Sequence, residues 1–178
     1  MAEYKGVLIC GELAERGLAS IAKELLGVGR RLADDLGEEL SILLMGNALN
    51  NAAKEAIAFG AGKVYIADQP LLKDYHCDTY TEIATNLCKE ISPSIFLLGQ
   101  TDIGRDIAPR IAAKLKVGLA TDCINLRIDP ATKVLIETRP VYGGNALAEM
   151  ASESTYPQMA TVRAKSMSPL EPDGCRQS

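Results

Sequence analysis

The sequence predicts an α/β protein in three layers, a parallel sheet with helices on both faces, with an antiparallel extension on the sheet edge. Three observations predict it. Between Gly6 and Leu115, short apolar runs alternate four times with segments of helical apolar spacing. Glycine or proline punctuates the joins. After Thr121 the apolar spacing drops to a period of two, the mark of a half-buried strand.

Each element follows in order. "GVLIC" (Gly6–Cys10) is a short apolar run of the kind buried on both faces of a parallel sheet. Leu18, Ile21, Ala22, Leu25, Leu32, Ala33 and Leu36 recur at helical spacing, and Gly37 stands where a left-handed helix end needs glycine. "LSILLMG" (Leu40–Gly46) is the second strand, followed by an Ala-rich helix ending near Gly60. "KVYIA" (Lys63–Ala67) is the third. Thr79 and Glu82 have capping-box spacing ahead of Ile83, Ala84, Leu87 and Ile91, and Ser92-Pro93 stops that helix. "SIFLLG" (Ser94–Gly99) is the fourth strand, with a helix after it. Four such repeats imply right-handed crossovers. Ligands then gather beyond Cys10, Gly46, Ala67 and Gly99, at the strand carboxyl ends. Beyond Thr121, Cys123–Asp129, "KVLIETRPVY", "ALAEMAS" and Pro157–Arg163 read as extended segments of the antiparallel extension, turning at "DPAT" and Gly143-Gly144-Asn145. From Ser166 the composition becomes that of a linker, so the chain divides into a domain over 1–165 and a linker over 166–178.

Composition excludes several classes. The 178 residues suit one sizeable core, and a net charge of -4 carries no basic stripe for nucleic acid. Cys10, Cys77, Cys88, Cys123 and Cys175 are scattered without metal-site spacing, so they read as reduced, packed thiols. The amino end lacks a signal-peptide apolar region, and no apolar run approaches the ~20 residues of a membrane span. A cytoplasmic location is expected, with no metal.

The stretch Gly99–Asp106 has the glycine spacing of a phosphate-binding loop, with Arg105 and Asp106 where Lys and Ser/Thr belong. Gly99, Thr101, Gly104 and Arg105 are the candidate cofactor contacts, Arg105 as a bidentate phosphate donor. Asp106 opposes a phosphate by like charge. Pro109 belongs in a first helical turn, which starts the helix near Arg105 and puts Asp106 at the positive end of its dipole. The residues leave two readings open, a structural turn or a site for a nucleotide monophosphate or adenine-type ligand. Triphosphate hydrolysis lacks its Mg²⁺ ligands.

His76 is the only histidine and adjoins Cys77, but sequence neighbours point apart, so no nucleophile–base pair is expected. No catalytic residue is assigned. Asp34/Asp35 and Glu38/Glu39 read as solvated surface. "TRPVYGGNALAE" (Thr138–Glu149) has a proline suited to an edge strand and a glycine pair suited to a tight turn. It is either an ordinary hairpin or a protein interface formed by Arg139, Tyr142 and Asn145, the first two being types enriched at interface hot spots.

"GRDIAPRIAAKLKVGLATDC", "RPVYGGNALAE", "PQMATVR" and "SMSPLEPD" together resemble the amino-terminal domain of an electron transfer flavoprotein alpha subunit, over essentially the whole chain. The resemblance implies an adenine nucleotide alpha-hydrolase-like fold and a heterodimer with a beta subunit. It implies FAD in a carboxyl-terminal domain absent here, no cofactor in this segment, and AMP, where present, in beta. It implies electron transfer from flavin dehydrogenases such as acyl-CoA dehydrogenases to a quinone reductase or another acceptor. The alternative is a free-standing AMP- or ATP-binding module of the universal-stress-protein type, whose glycine loop spacing is not found here.

Overall fold

The computed structural model describes residues 4–152 and 155–174. The chain runs β1 (Val7–Gly11), α1 (Ser20–Leu36), β2 (Leu40–Gly46), α2 (Asn50–Ala58), β3 (Lys63–Asp68), α3 (Cys77–Ile91), β4 (Ile95–Gly99) and α4 (Asp102–Leu115). Strands β5 (Leu119–Cys123), β6 (Asn125–Ile128), β7 (Leu135–Val141), β8 (Ala146–Ala151) and β9 (Gln158–Val162) follow. A parallel sheet has the order β3-β2-β1-β4-β9-β5. Strands β6, β7 and β8 pair antiparallel in a second sheet. Only Ile124 separates β5 from β6, so the small sheet grows directly from the edge strand of the large one.

Every residue of β1, β2 and β4 is buried, which is why these strands read as unbroken apolar runs rather than alternating ones. Val7, Ile9, Ile42, Leu44 and Leu97 pack with α1 and α2 residues on one face; Leu8, Cys10, Leu43, Phe96 and Leu98 pack with α3 and α4 residues on the other. Gly37 closes α1 at φ 70°, as its position predicted. Burial pushes the Cys10 thiol up and the Cys88 and Cys123 thiols up to about 12, as expected of packed, unreactive sulfurs. Cys175 lies outside the described residues.

Five sequence expectations change. Pro157–Arg163 does not belong to the antiparallel extension: β9 inserts into the parallel sheet between β4 and β5. Its two buried polar residues misled the pattern, because each has a dedicated partner. Gln158 Oε1 accepts from the Leu135 amide at 2.6 Å, and Thr161 Oγ1 accepts from the Asp122 amide at 3.0 Å. Helix α3 starts at Cys77 behind His76, whose side chain caps nothing, so Thr79 lies inside the first turn and forms no capping box. Helix α4 starts at Asp102, not near Arg105, because Thr101 caps it; Pro109 lies in its interior with an exposed ring. Glu38 is not merely solvated. Its Oε2 accepts from the Gly6 amide and the Ser94 hydroxyl, both at 2.6 Å, and so ties together the amino ends of β1 and β4. The segment after Ser166 begins as a strap across α1. Buried Glu24 accepts from the Lys165 amide at 3.1 Å and the Met167 amide at 3.4 Å. A Cβ on Gly27 would stand 2.2 Å from the Ser168 carbonyl oxygen, so glycine opens the groove the strap occupies.

The small sheet holds a buried carboxylate without a partner among the described residues. Glu137 in β7 is 1% exposed, and among the described residues neither of its carboxylate oxygens has a hydrogen bond. Burial raises its pKa from 4.5 to about 7. Below pH 4.5 both folded and unfolded chains hold this proton. Between the ordinary value and about 7 the unfolded chain releases it first, so stability falls as pH rises and levels off above that window. The full loss is on the order of 3 kcal/mol. Glu137→Gln should therefore match the unaltered protein in thermal denaturation at pH 4.5 and melt higher at pH 8; equal melting at both values would exclude this origin of pH dependence.

Candidate functional site

The carboxyl ends of β1 and β2 open on a cavity of about 590 Å³. Its wall includes the Gly11–Glu15 loop, Met45–Asn47, Lys73, Tyr75, Tyr80 and Ile103. This is the crevice where open parallel sheets bind ligands, beside the point where strand order reverses between β1 and β4. The two tyrosine rings meet edge to face, 5.1 Å between centroids at 74°. Their hydroxyls are engaged: Tyr75 donates to Asp106 Oδ2 at 2.7 Å, and Tyr80 to the Leu72 carbonyl at 3.2 Å. Asp106, which the sequence placed against the helix dipole, instead holds Tyr75 and pairs with Arg110 at 3.3 Å. Hydrogen bonds from the Tyr75 hydroxyl and the Cys77 thiol, and then the Arg110 charge, lower its pKa.

The phosphate-loop spacing acquires a different meaning here. Gly104 lies against the Gly99 carbonyl oxygen, where a Cβ would approach to 1.8 Å. Glycine at both positions thus permits a strand-to-helix turn with no room inside. Thr101 Oγ1 accepts from the Gly104 amide at 3.0 Å and donates to Glu12 Oε1 at 2.7 Å. A carboxylate from the β1 loop therefore stands at the start of α4, where a phosphate would sit. Burial raises the Glu12 pKa, nearby Asp102 adds to the rise, and the Thr101 hydrogen bond opposes it. Among the sequence candidates, the structure brings Gly99, Thr101 and Gly104 together, while Arg105 is exposed. Glu12 was missed, because a single acidic residue after a strand carries no pattern until the fold sets it opposite Thr101.

The other candidates separate cleanly. His76 is exposed, and among the described residues no hydrogen bond joins it to Cys77, whose thiol lies 4.0 Å from Thr81 Oγ1. No group of described His, Cys, Asp or Glu side chains is arranged to hold a metal ion. No described helix is long and apolar enough to cross a membrane.

At the β7–β8 hairpin, Tyr142 is 85% exposed at φ 52°, and Gly143 and Gly144 also have positive φ. A left-handed tyrosine costs about 1 kcal/mol and needs support from its surroundings. Asn145 supplies it by donating its side-chain amide to the Tyr142 carbonyl at 3.0 Å. Arg139 turns inward: its Nη1 donates to Thr121 Oγ1 in β5 at 3.1 Å, which braces the small sheet against the large one. Leu147 and Met150 on β8 are 63% and 40% exposed.

A six-stranded parallel sheet covered by helices, with a carboxylate at the start of α4 and a small antiparallel sheet growing from one edge, defines an α/β domain of three layers. The family model for the electron transfer flavoprotein domain matches residues 7–178, and the chain belongs to that family. It is 43% identical to the electron transfer flavoprotein subunit alpha of Megasphaera elsdenii over 163 residues, covering 92% of this chain and 48% of that subunit. It is 41% identical to the protein FixB of Clostridium saccharobutylicum, covering 98% of this chain and 52% of that protein. It is 35% identical to the lactate dehydrogenase (NAD(+),ferredoxin) subunit LctC of Acetobacterium woodii, covering 91% of this chain and 38% of that subunit. The chain thus spans about half the length, or less, of these relatives.

The packed turn gives a direct test. Gly104→Ala forces a methyl group into the Gly99 carbonyl, so it should lower stability by roughly 2–4 kcal/mol in chemical denaturation. A loss within experimental error would show that the turn has slack.

Proposed function

We propose that this chain is the amino-terminal scaffold and beta-subunit-binding domain of an electron transfer flavoprotein alpha subunit. It performs no bond-making chemistry itself. The family match and the alpha-subunit relatives support this reading. The observation that carries the binding role is Tyr142, held exposed in a strained conformation at the tip of a hairpin whose β8 strand also exposes Leu147 and Met150. Leu147 and Met150, three residues apart, point to opposite faces of β8, so the exposed aromatic ring at the tip is the feature that marks a protein-interaction surface. Tyr142 is the anchor, Asn145 fixes its backbone, and Arg139 sets the angle of the small sheet from within.

In this reading FAD belongs to the remainder of the intact subunit. The heterodimer then carries electrons from flavin dehydrogenases, acyl-CoA dehydrogenases among them, to a quinone reductase or another acceptor in the cytoplasm. The filled phosphate position argues against a free-standing nucleotide module, since Glu12 repels the group such a module must hold.

The test is calorimetric titration of the chain with a purified electron transfer flavoprotein beta subunit. One-to-one binding is expected. Tyr142→Gly should weaken it about tenfold or more, in line with loss of an aromatic anchor. The same change relieves the left-handed strain and should leave thermal stability unchanged or slightly raised. Unaltered affinity would remove the hairpin from the interface, and absence of binding by the unaltered chain would remove the beta-binding role.

A further inference from the structure

We propose that the crevice at the ends of β1 and β2 is a binding site for a small organic cation with a flat apolar body and N–H donors, of the amidine or aryl-amine kind. The cavity, at about 590 Å³, is of ordinary ligand-site size. Its charges select the sign of the ligand. Glu12 and Glu15 are in the wall, Asp102 lies close enough to Glu12 to act on it, and Asp106 is bonded to wall residue Tyr75. Lys73 is the one basic side chain in the wall, and Arg110 is committed to Asp106 and Asp78. An anion entering this space meets carboxylates.

The Glu12 carboxylate also has acceptor capacity to spare. Among the described residues Thr101 gives it its only hydrogen bond, through Oε1, leaving Oε2 for a donor from the cavity. Tyr75 and Tyr80 supply aromatic walls, and their engaged hydroxyls hold the rings in place. A carboxylate and two fixed aromatic rings lining one cavity fit an N–H cation carried on a planar group, which gains a charge-assisted hydrogen bond at one end and ring contact at the other. Met45 and Ile103 add apolar surface. This inference concerns a different face from the hairpin and does not depend on the role proposed for it.

Benzamidine, benzamide and benzoate share one ring and differ in charge, so together they test the site. Each is titrated into the ¹⁵N-labelled chain while amide shifts are followed. Benzamidine should produce saturable shifts in the Gly11–Glu15 loop and around Tyr75 and Tyr80. It should bind at least about tenfold more tightly than benzamide, the step expected from one charge-assisted contact. Benzoate should leave those amides unmoved. Glu12→Gln should lower benzamidine affinity about tenfold, with thermal denaturation confirming that the variant folds. Equal binding of benzamidine and benzamide, binding of benzoate in the crevice, benzamidine shifts confined elsewhere, or no saturable shift would each overturn the proposal. The comparison of the three compounds needs only the unaltered chain, so it decides the matter even if Glu12→Gln fails to fold.

Discussion

The hydrogen bond between Thr101 and Glu12 joins the two strands on which the architecture turns. β1 and β4 are neighbours in the sheet but come from opposite ends of its first four repeats, and the loops leaving them diverge to opposite faces. One hydroxyl caps α4 through the Gly104 amide and at the same time grips the carboxylate that follows β1. The contact fixes how α4 leaves the sheet. It also decides what the crevice can hold, because the positive end of the helix already faces a carboxylate. The crevice is thus acidic where β1 ends, with Glu12 and Glu15 in its wall.

The same logic of internal occupation recurs at the other end of the sheet and along its flank. Glu38 gathers the amino ends of β1 and β4, and Glu24 fastens the strap that leaves β9. These acidic groups accept backbone amides that no strand or helix satisfies, which is the need every buried loop must meet. Glu137 is the exception. It lies in the seam where the small sheet meets the large one, with Arg139 two residues away holding Thr121 while its own Nε is buried without a partner among the described residues. The seam is therefore the least satisfied part of the interior, and it carries the hairpin that presents Tyr142.

Much of the fold was legible because its signals are repetitive. β2 runs from Leu40 to Gly46 as read, and four strand–helix repeats gave the parallel sheet and both helical layers. The failures share a physical cause. Gln158 and Thr161 are buried polar residues whose partners lie far along the chain, so periodicity assigned β9 to the wrong sheet. Pro109 outweighed Thr101 in locating α4, although the threonine's cap is the stronger local determinant and an exposed proline ring is tolerated inside the helix. At the site, glycine spacing identified the tight turn but not its content. Glu12 is 89 positions from Thr101, and only the β1–β4 pairing brings them together.

If the Glu12 carboxylate stands where a phosphate would otherwise sit, the start of α4 has no room for a nucleotide. The most direct measurement is an AMP titration of the ¹⁵N-labelled chain, following the Thr101, Gly104 and Arg105 amides. These signals should stay in place at AMP concentrations that saturate ordinary nucleotide sites. A saturable displacement of the Gly104 amide, with nucleotide retained through gel filtration, would contradict it.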